Sequence, residues 1–293
     1  LKVPPIIIGL TIVAMGTSLP ETAVSVTASL VQNNELAVSN VVGSNIFNLM
    51  FVIGVCSILT PIMVQKATVV RDIPLSLGCA LLLLVLGISG LGDKAGMTLG
   101  HADGIIFLIV FAGYIFTMVR SAMKARAAGQ KVEIEGVEEC DNMKELSYGK
   151  SILFLIVGAA AIAFGGDLTV DTASRIAIEL GMSQTLVGLT IVSIGTSLPE
   201  LVTSVVAARK NEVDMAVGNA VGSNIFNILM VLGISSAISP VALIRENLID
   251  IVLLMVFSVM VWIFAGTRKK IERKEGIIMV VVYLVYCAYI IAR

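Results

Sequence analysis

The sequence GTSLPE occurs twice in this chain, at residues 16–21 and again at 195–200. Each copy places a glutamate inside a strongly apolar segment, where an ionised carboxylate is costly unless it faces a partner, a cavity or an ion. At an offset of 179 positions, residues 9–48 align with residues 188–227 without a gap, and 24 of the 40 pairs are identical. The chain therefore contains an internal repeat that covers several elements.

The composition is that of a protein embedded in a bilayer. Of the 293 residues, 57% are hydrophobic and only 14% are charged, and the mean hydropathy is +0.98. A helix needs roughly 20 apolar residues to cross the hydrocarbon, and continuous apolar runs, unlike the alternating pattern of barrel strands, favour helices. We predict an all-α integral membrane protein with nine helices, at about 3–30, 37–60, 72–92, 102–121, 150–168, 184–208, 214–240, 246–266 and 276–292.

The two repeats are expected to cross the membrane in opposite directions. In the second repeat an apolar run at 150–168 precedes GTSLPE, whereas residue 1 aligns with Leu180, so the corresponding helix of the first repeat is expected to lie upstream. This predicts a ten-helix fold of five plus five, of which nine helices are present here. Because five is odd, the copies have inverted topology, and such folds place a substrate site near the bilayer midplane between the halves.

The division of the chain and its orientation follow from the linker and the basic residues. We predict a first repeat at 1–122, a linker at 123–149 and a second repeat at 150–293. If successive helices cross the membrane in alternating directions, 16 of the 20 lysines and arginines lie on the same side of the membrane as the linker. The positive-inside rule assigns that side to the cytoplasm. The prediction is a multi-pass protein of the plasma membrane with a cytoplasmic linker and an external C-terminus.

Several function classes find little support in the sequence. The net charge of −1 argues against a nucleic-acid partner. No GxxxxGK[ST] motif is present, so no nucleotide is expected. The single histidine, His101, provides neither an HExxH zinc site nor a Ser-His-Asp triad. We therefore expect no enzyme and no cofactor; the sequence leaves the oligomeric state open.

The candidate site residues of the GTSLPE motifs carry oxygen atoms. Glu21 and Glu200 are the two buried carboxylates. Each follows a proline that lacks an N–H, and we expect this to free main-chain carbonyls near Ala14 and Ser193. The hydroxyls of the motif belong to Thr17, Ser18, Thr196 and Ser197.

The second motif, GSNIFN, occurs at 43–48 and 222–227 and adds further oxygen atoms. The i, i+4 spacing places its serine and asparagine on one helix face; these residues are Ser44, Asn48, Ser223 and Asn227. Other asparagines lie on the same segments at other angles, namely Asn40, Asn45, Asn219 and Asn224. For all of these polar residues, helix-to-helix hydrogen bonding and cation binding remain equally open.

Carboxylate, hydroxyl, amide and carbonyl oxygens are hard ligands, which suit Ca²⁺, Na⁺ or Mg²⁺ and disfavour zinc or copper. Two carboxylates balance one Ca²⁺, and the same oxygens can be divided among Na⁺ ions at separate subsites. Competition for shared carboxylates is a physical route to the exchange of one ion for another.

The paired motifs resemble the two α-repeats of the Ca²⁺:cation antiporter superfamily, specifically the prokaryotic sodium/calcium exchangers. The resemblance covers nearly the whole chain and implies a secondary active antiporter that exchanges Ca²⁺ for Na⁺ by alternating access in the lipid bilayer. It implies that the cations bind to Glu21, Glu200, Thr17, Ser18, Thr196, Ser197, Ser44, Ser223, Asn48 and Asn227, and to the carbonyls of Ala14 and Ser193.

One position departs from part of that family. Several members, including potassium-dependent exchangers, resemble this chain but have an aspartate where Asn227 stands, which puts K⁺ co-transport by this chain in doubt. Ca²⁺/H⁺ antiport is the alternative within the superfamily. A cation channel is a further alternative, although a buried site in an inverted repeat favours alternating access.

Overall fold

The computed structural model describes nine positions between 149 and 172 as well as residues 14–89, 97–127, 175–182, 184–210 and 213–293. Most of the helix predicted at 150–168 and most of the linker predicted at 123–149 lie outside the described residues.

The described part of the first repeat is formed by six helices and two short strands. The helices are α1 (Ala14–Thr17), α2 (Leu19–Leu30), α3 (Asn34–Ile46), α4 (Ile53–Leu59), α5 (Ile73–Ser89) and α6 (His101–Ala127). The strands are β1 (Ile62–Met63) and β2 (Thr98–Leu99). A π-helical segment, Phe47–Val52, joins α3 to α4, and another, Thr68–Asp72, leads into α5.

The second repeat has a corresponding order of elements. Its helices are α7 (Gln184–Val187), α8 (Ser193–Thr196), α9 (Leu198–Arg209), α10 (Val213–Phe226), α11 (Gly233–Ile238), α12 (Arg245–Arg268) and α13 (Arg273–Ala292). Its strands are β3 (Val241–Ala242) and β4 (Lys270–Ile271). The π-helical segments Gly188–Val192 and Asn227–Leu232 join α7 to α8 and α10 to α11.

Most of the predicted membrane helices are confirmed where the structure describes them. The helix predicted at 3–30 is described from residue 14 and is broken at Ser18 into α1 and α2. Six helical stretches are long and apolar enough to span a bilayer, and a seventh, from Gly188 to Arg209, is bent by 48° between α8 and α9. The largest difference from a predicted boundary is at the end of α6, which continues from the predicted end at 121 to Ala127. The helix extends beyond its apolar stretch because the polar residues that follow, such as Lys124 and Arg126, are good helix formers.

The two helices that carry GSNIFN lie at the centre of the bundle. In the spans Leu36–Leu59 and Asp214–Ile238, the most apolar stretch is 83% and 78% buried, against 28% or 39% in the other four spans. Helix α2 packs on α3, and α9 packs on α10 in the same way. The outer helices therefore shield a central pair whose polar residues are withdrawn from lipid.

Two small sheets join one repeat to the other. Strand β1 pairs antiparallel with β4, with Ile62 opposite Ile271. Strand β2 pairs antiparallel with β3, with Leu99 opposite Val241. Because α5 runs from the end of the bundle that holds β1 to the end that holds β2, the two sheets lie at opposite ends. The same contact is thus made twice in inverted orientation, as the odd helix number predicted.

Candidate cation site

The GTSLPE segments form two broken helices. Helix α1 ends before Ser18, which has φ −85° and ψ 11°, and α2 then begins with Pro20 in its first turn. In the second repeat, Ser197 has φ −89° and ψ 6° between α8 and α9, and Pro199 occupies the first turn of α9. Proline suits the first turn of a helix because its missing N–H needs no partner there. The break places each glutamate one turn after a serine that has left the helical conformation.

Each glutamate is held by the opposite repeat. The hydroxyl of Ser197 donates to Oε1 of Glu21 at 2.8 Å, and the hydroxyl of Ser18 donates to Oε1 of Glu200 at 2.9 Å. Ser223 also donates to Oε1 of Glu200, at 3.2 Å. Both glutamate side chains are fully buried. The two carboxylates are therefore positioned by reciprocal bonds across the interface between the halves.

Four buried oxygen atoms of this region accept no hydrogen bond within the described part of the chain. They are Oε2 of Glu21, Oε2 of Glu200, Oδ1 of Asn48 and Oδ1 of Asn227. The ion pairs found among the described residues lie elsewhere, at Asp72, Glu272 and Asp250. Buried acceptors without a donor are costly, and an uncompensated buried charge is more so. The arrangement is thus suited to a positively charged ligand.

The carbonyl of Ala14 lies at the site, but the predicted reason for its availability is wrong. Proline removes the N–H that would bond four residues upstream, which for Pro20 is Gly16 and not Ala14. The carbonyl of Ala14 in fact accepts the N–H of Ser18 at 3.1 Å. It also lies 3.5 Å from the hydroxyl of Ser223, in the opposite repeat. The hydroxyl of Thr17 lies 3.3 Å from the same oxygen, so both lone pairs of this carbonyl have donors within the protein.

The same correction applies to the carbonyl of Ser193 in the second repeat. The residue four positions before Pro199 is Gly195, and Ser193 O accepts the N–H of Ser197 at 3.1 Å. The hydroxyl of Ser44, from the opposite repeat, donates to Ser193 O at 3.4 Å. Both carbonyls therefore face the other half of the protein without being released from the helix.

Threonine and asparagine pairs continue the reciprocal pattern. Thr17 donates to Oδ1 of Asn219 at 3.3 Å, and Thr196 donates to Oδ1 of Asn40 at 3.3 Å. Asn40 and Asn219 in turn donate to the main-chain carbonyls of the two glutamates, at 3.4 and 3.3 Å. These two asparagines thus bond helix to helix, one of the two roles that the sequence left open.

A second set of asparagines joins α3 and α10 directly. Asn45 donates its side-chain amide to the carbonyl of Asn224 at 3.2 Å, and Asn224 donates to the carbonyl of Asn45 at 3.1 Å. Asn48 donates to Oδ1 of Asn224 at 3.2 Å, and Asn227 donates to Oδ1 of Asn45 at 3.1 Å. All four side chains are buried. The amide nitrogens are therefore used between the helices, whereas the oxygens of Asn48 and Asn227 are not.

The structure buries every residue that the sequence assigned to the site. The GTSLPE and GSNIFN residues of the two repeats come together although roughly 180 positions separate them. Two features were not predicted: the reciprocal asparagine bonds of Asn45 and Asn224, and the π-helical segments that begin at Phe47 and Asn227. A π-helical turn leaves no mark on hydrophobic periodicity, although such turns are frequent at functional sites.

Comparison with known proteins agrees with this geometry. Residues 1–120 and 150–292 match the family described as sodium/calcium exchanger protein. The chain is 31% identical over 310 residues to the sodium/calcium exchanger MaX1 of Methanosarcina acetivorans, covering 98% of this chain and 89% of that protein. It is 35% identical over 268 residues to the inner membrane protein YrbG of Escherichia coli, covering 89% of this chain and 79% of that protein.

A solved structure shares the fold. The sodium-calcium exchanger NCX_Mj, soaked with 2.5 mM Na⁺ and 0.1 mM Ca²⁺, superposes with a TM-score of 0.77 at 31% identity and covers 98% of this chain and 87% of its own. That protein is an α-helical membrane exchanger with inverted repeats, and the homologues are transporters rather than enzymes. The chain belongs to the sodium/calcium exchanger family of the Ca²⁺:cation antiporter superfamily, and it is a multi-pass membrane antiporter of cations.

Proposed function

We propose that this protein exchanges Ca²⁺ for Na⁺, with both ions binding at the site that Glu21 and Glu200 form. One observation carries the proposal: two buried carboxylates from opposite repeats are cross-bonded, and each keeps an oxygen without a hydrogen-bond donor among the described residues. The name of the relative MaX1 and the Na⁺ and Ca²⁺ in the NCX_Mj soaks support the choice of ions.

The charge and the chemistry of the site favour these ions. Two carboxylates carry two negative charges, which one Ca²⁺ balances. The proposed ligands are all oxygen atoms, the kind that hard cations prefer. They belong to Glu21, Glu200, Thr17, Ser18, Thr196, Ser197, Ser44, Ser223, Asn48, Asn227 and the carbonyls of Ala14 and Ser193. Because both ions need the same carboxylates, the binding of Na⁺ displaces Ca²⁺ and couples the two gradients.

The inverted architecture supports alternating access around this site. In the proposed scheme, the outer helices of the repeats at 1–122 and 150–293 alternately open a path to each face of the membrane, while the central α3–α10 pair stays in place. We also propose a plasma-membrane location with the 123–149 linker in the cytoplasm and the C-terminus outside. The basic residues at 268–270 and 273–274 support this, since they lie around β4, at the end of the bundle opposite β2 and β3.

Uptake of ⁴⁵Ca²⁺ by proteoliposomes tests the proposal. Vesicles that contain the purified protein are loaded with Na⁺, with K⁺, or with neither ion under an imposed pH gradient, and vesicles with the double variant Glu21→Gln/Glu200→Gln serve as the control. We expect saturable uptake from Na⁺-loaded vesicles only. Uptake driven by the pH gradient alone would show that H⁺, and not Na⁺, is the coupling ion. Flux that needs no ion on the opposite side would indicate a channel.

A further inference from the structure

The orientation of Asn48 and Asn227 is set by two other residues, Asn45 and Asn224. An asparagine amide offers a donor at one end and an acceptor at the other. Asn45 uses both ends across the repeat interface: its nitrogen donates to Asn224 O at 3.2 Å, and its Oδ1 accepts from Asn227 at 3.1 Å. Asn224 does the same in the opposite direction, to Asn45 O at 3.1 Å and from Asn48 at 3.2 Å.

Only one orientation of the Asn45 side-chain amide is compatible with these hydrogen bonds. If the amide of Asn45 turned by half a rotation, its oxygen would face the carbonyl oxygen of Asn224 and its nitrogen would face the nitrogen of Asn227. Two donor–acceptor contacts would become two contacts between like groups in a fully buried environment, where each lost hydrogen bond is costly. The main-chain carbonyl of Asn224 therefore fixes the orientation of the Asn45 amide, and the main-chain carbonyl of Asn45 fixes the orientation of the Asn224 amide in the same way.

The fixed orientation of Asn45 and Asn224 determines which side-chain atom of Asn227 and Asn48 has no hydrogen-bond partner among the described residues. Because Asn45 presents an acceptor, Asn227 must turn its nitrogen toward Asn45, and its own Oδ1 remains without a donor among the described residues. In the same way Asn224 leaves Oδ1 of Asn48 unused. The two oxygens that remain are acceptors suited to a cation, whereas an amide nitrogen in the same place would repel one.

We infer that Asn45 and Asn224 are positioning residues for cation binding: each holds the asparagine of the opposite repeat with its oxygen toward the ion. This inference rests on the proposed function of the site, and it assigns a role to two residues that do not themselves offer a free oxygen. The alternative is that they only pack α3 against α10. The two roles predict different coupling between substitutions. If Asn45 orients Asn227, the effect of replacing Asn45 on Ca²⁺ affinity depends on whether Asn227 is present; if Asn45 only packs the helices, it does not.

A double-mutant cycle separates the two roles. The variants Asn45→Ala, Asn227→Ala and the combination are compared for the Ca²⁺ concentration that gives half-maximal Na⁺-dependent ⁴⁵Ca²⁺ uptake. We expect Asn45→Ala alone to raise this concentration at least about five-fold. In the Asn227→Ala background there is no amide left to orient, so the second substitution should change it by less than about two-fold. The same cycle on Asn224 and Asn48 is an independent repeat and serves if Asn45→Ala does not fold.

The matched control is the pair Asn45 and Asn48, which lie on the same continuous helix and have no hydrogen bond between their side chains. Their effects should multiply, because Asn48 is oriented by Asn224 and not by Asn45. Multiplicative effects in the Asn45–Asn227 cycle and in the Asn224–Asn48 cycle would overturn the inference while leaving the exchange activity intact. Wild-type protein that takes up no Ca²⁺ in any condition would overturn the proposed function and this inference together.

Discussion

Ser197 donates its hydroxyl to Glu21 at 2.8 Å, although 176 positions separate the two residues in the chain. The mirror bond, from Ser18 to Glu200 at 2.9 Å, spans 182 positions. Neither glutamate is therefore held in place by its own repeat alone. The site exists where the two halves pack, so its geometry depends on every contact that fixes one half against the other.

Removal of either carboxylate charge should abolish exchange. Glu21→Gln and Glu200→Gln each keep the size of the side chain but leave a single negative charge for a divalent cation. We expect Ca²⁺ uptake by each variant to fall at least about 100-fold. The control is Glu246→Gln, at an exposed glutamate in the first turn of α12, which should transport normally. Near-normal uptake by either site variant would contradict the assignment of the site.

The two bridging serines should differ in importance. Glu21 accepts a hydroxyl bond from Ser197 at 2.8 Å, whereas Glu200 accepts bonds from both Ser18 at 2.9 Å and Ser223 at 3.2 Å. Ser18→Ala thus leaves a second hydroxyl on the same oxygen. We expect Ser197→Ala to raise the half-saturating Ca²⁺ concentration about three- to ten-fold more than Ser18→Ala does, the equivalent of about one hydrogen bond. Titration of Ca²⁺ uptake by both variants decides this, and an equal or reversed order would contradict it.

A methyl group at Gly43 should force the two repeats apart. A Cβ at this position of α3 would lie 2.9 Å from Cβ of Ser193 and 3.0 Å from the carbonyl oxygen of Leu189. Overpacking of this kind costs about 1–3 kcal/mol, so Gly43→Ala should lower the melting temperature in detergent and reduce uptake. Gly78→Ala in α5 is the matched control, since a Cβ there meets nothing within 4 Å. A melting temperature for Gly43→Ala equal to that of Gly78→Ala would disprove the close contact.

The ion pair between Arg293 and Asp250 should contribute to stability outside the site. Arg293 bonds both oxygens of the fully buried Asp250, at 3.0 and 2.6 Å. Arg293→Ala leaves that carboxylate with the hydroxyl of Tyr286, at 3.3 Å, but without a charge partner. Removal of one member of a buried ion pair typically costs about 3–5 kcal/mol. The comparison is Arg268→Ala, which breaks the exposed pair with Glu272 and should cost less than about 1 kcal/mol. Thermal unfolding of the two variants measures the difference, and equal melting temperatures would contradict it.

Much of the fold was predictable because it follows from patterns of neighbouring residues in the sequence. Apolar runs identified the membrane helices, and the repeat at an offset of 179 positions predicted two equivalent halves. The odd number of helices predicted their inversion, which the mirror-related pairs β1–β4 and β2–β3 display. The end of α6 was less accessible to this reasoning, because hydropathy reports where lipid ends and not where a helix ends.

The candidate site was also proposed from local patterns in the sequence. Glutamates within apolar segments are costly, so their presence at equivalent places pointed to Glu21 and Glu200. The assignment of the carbonyls of Ala14 and Ser193 to the site stays a prediction, and the reason given for it was incorrect. Proline frees the carbonyl four residues before it, whereas these two carbonyls face the opposite repeat through the bend at the intervening serine.

The sequence by itself determined that this protein is a helical membrane protein with two inverted repeats and two buried carboxylates. These are properties of the linear chain, because hydropathy and repetition can be read from neighbouring residues. Only the tertiary structure decided that Ser18 bonds Glu200 and Ser197 bonds Glu21, and which end of the Asn48 and Asn227 amides remains unused. Hydrogen bonds are short and directional, so their partners are determined only when residues far apart in the chain are packed against one another.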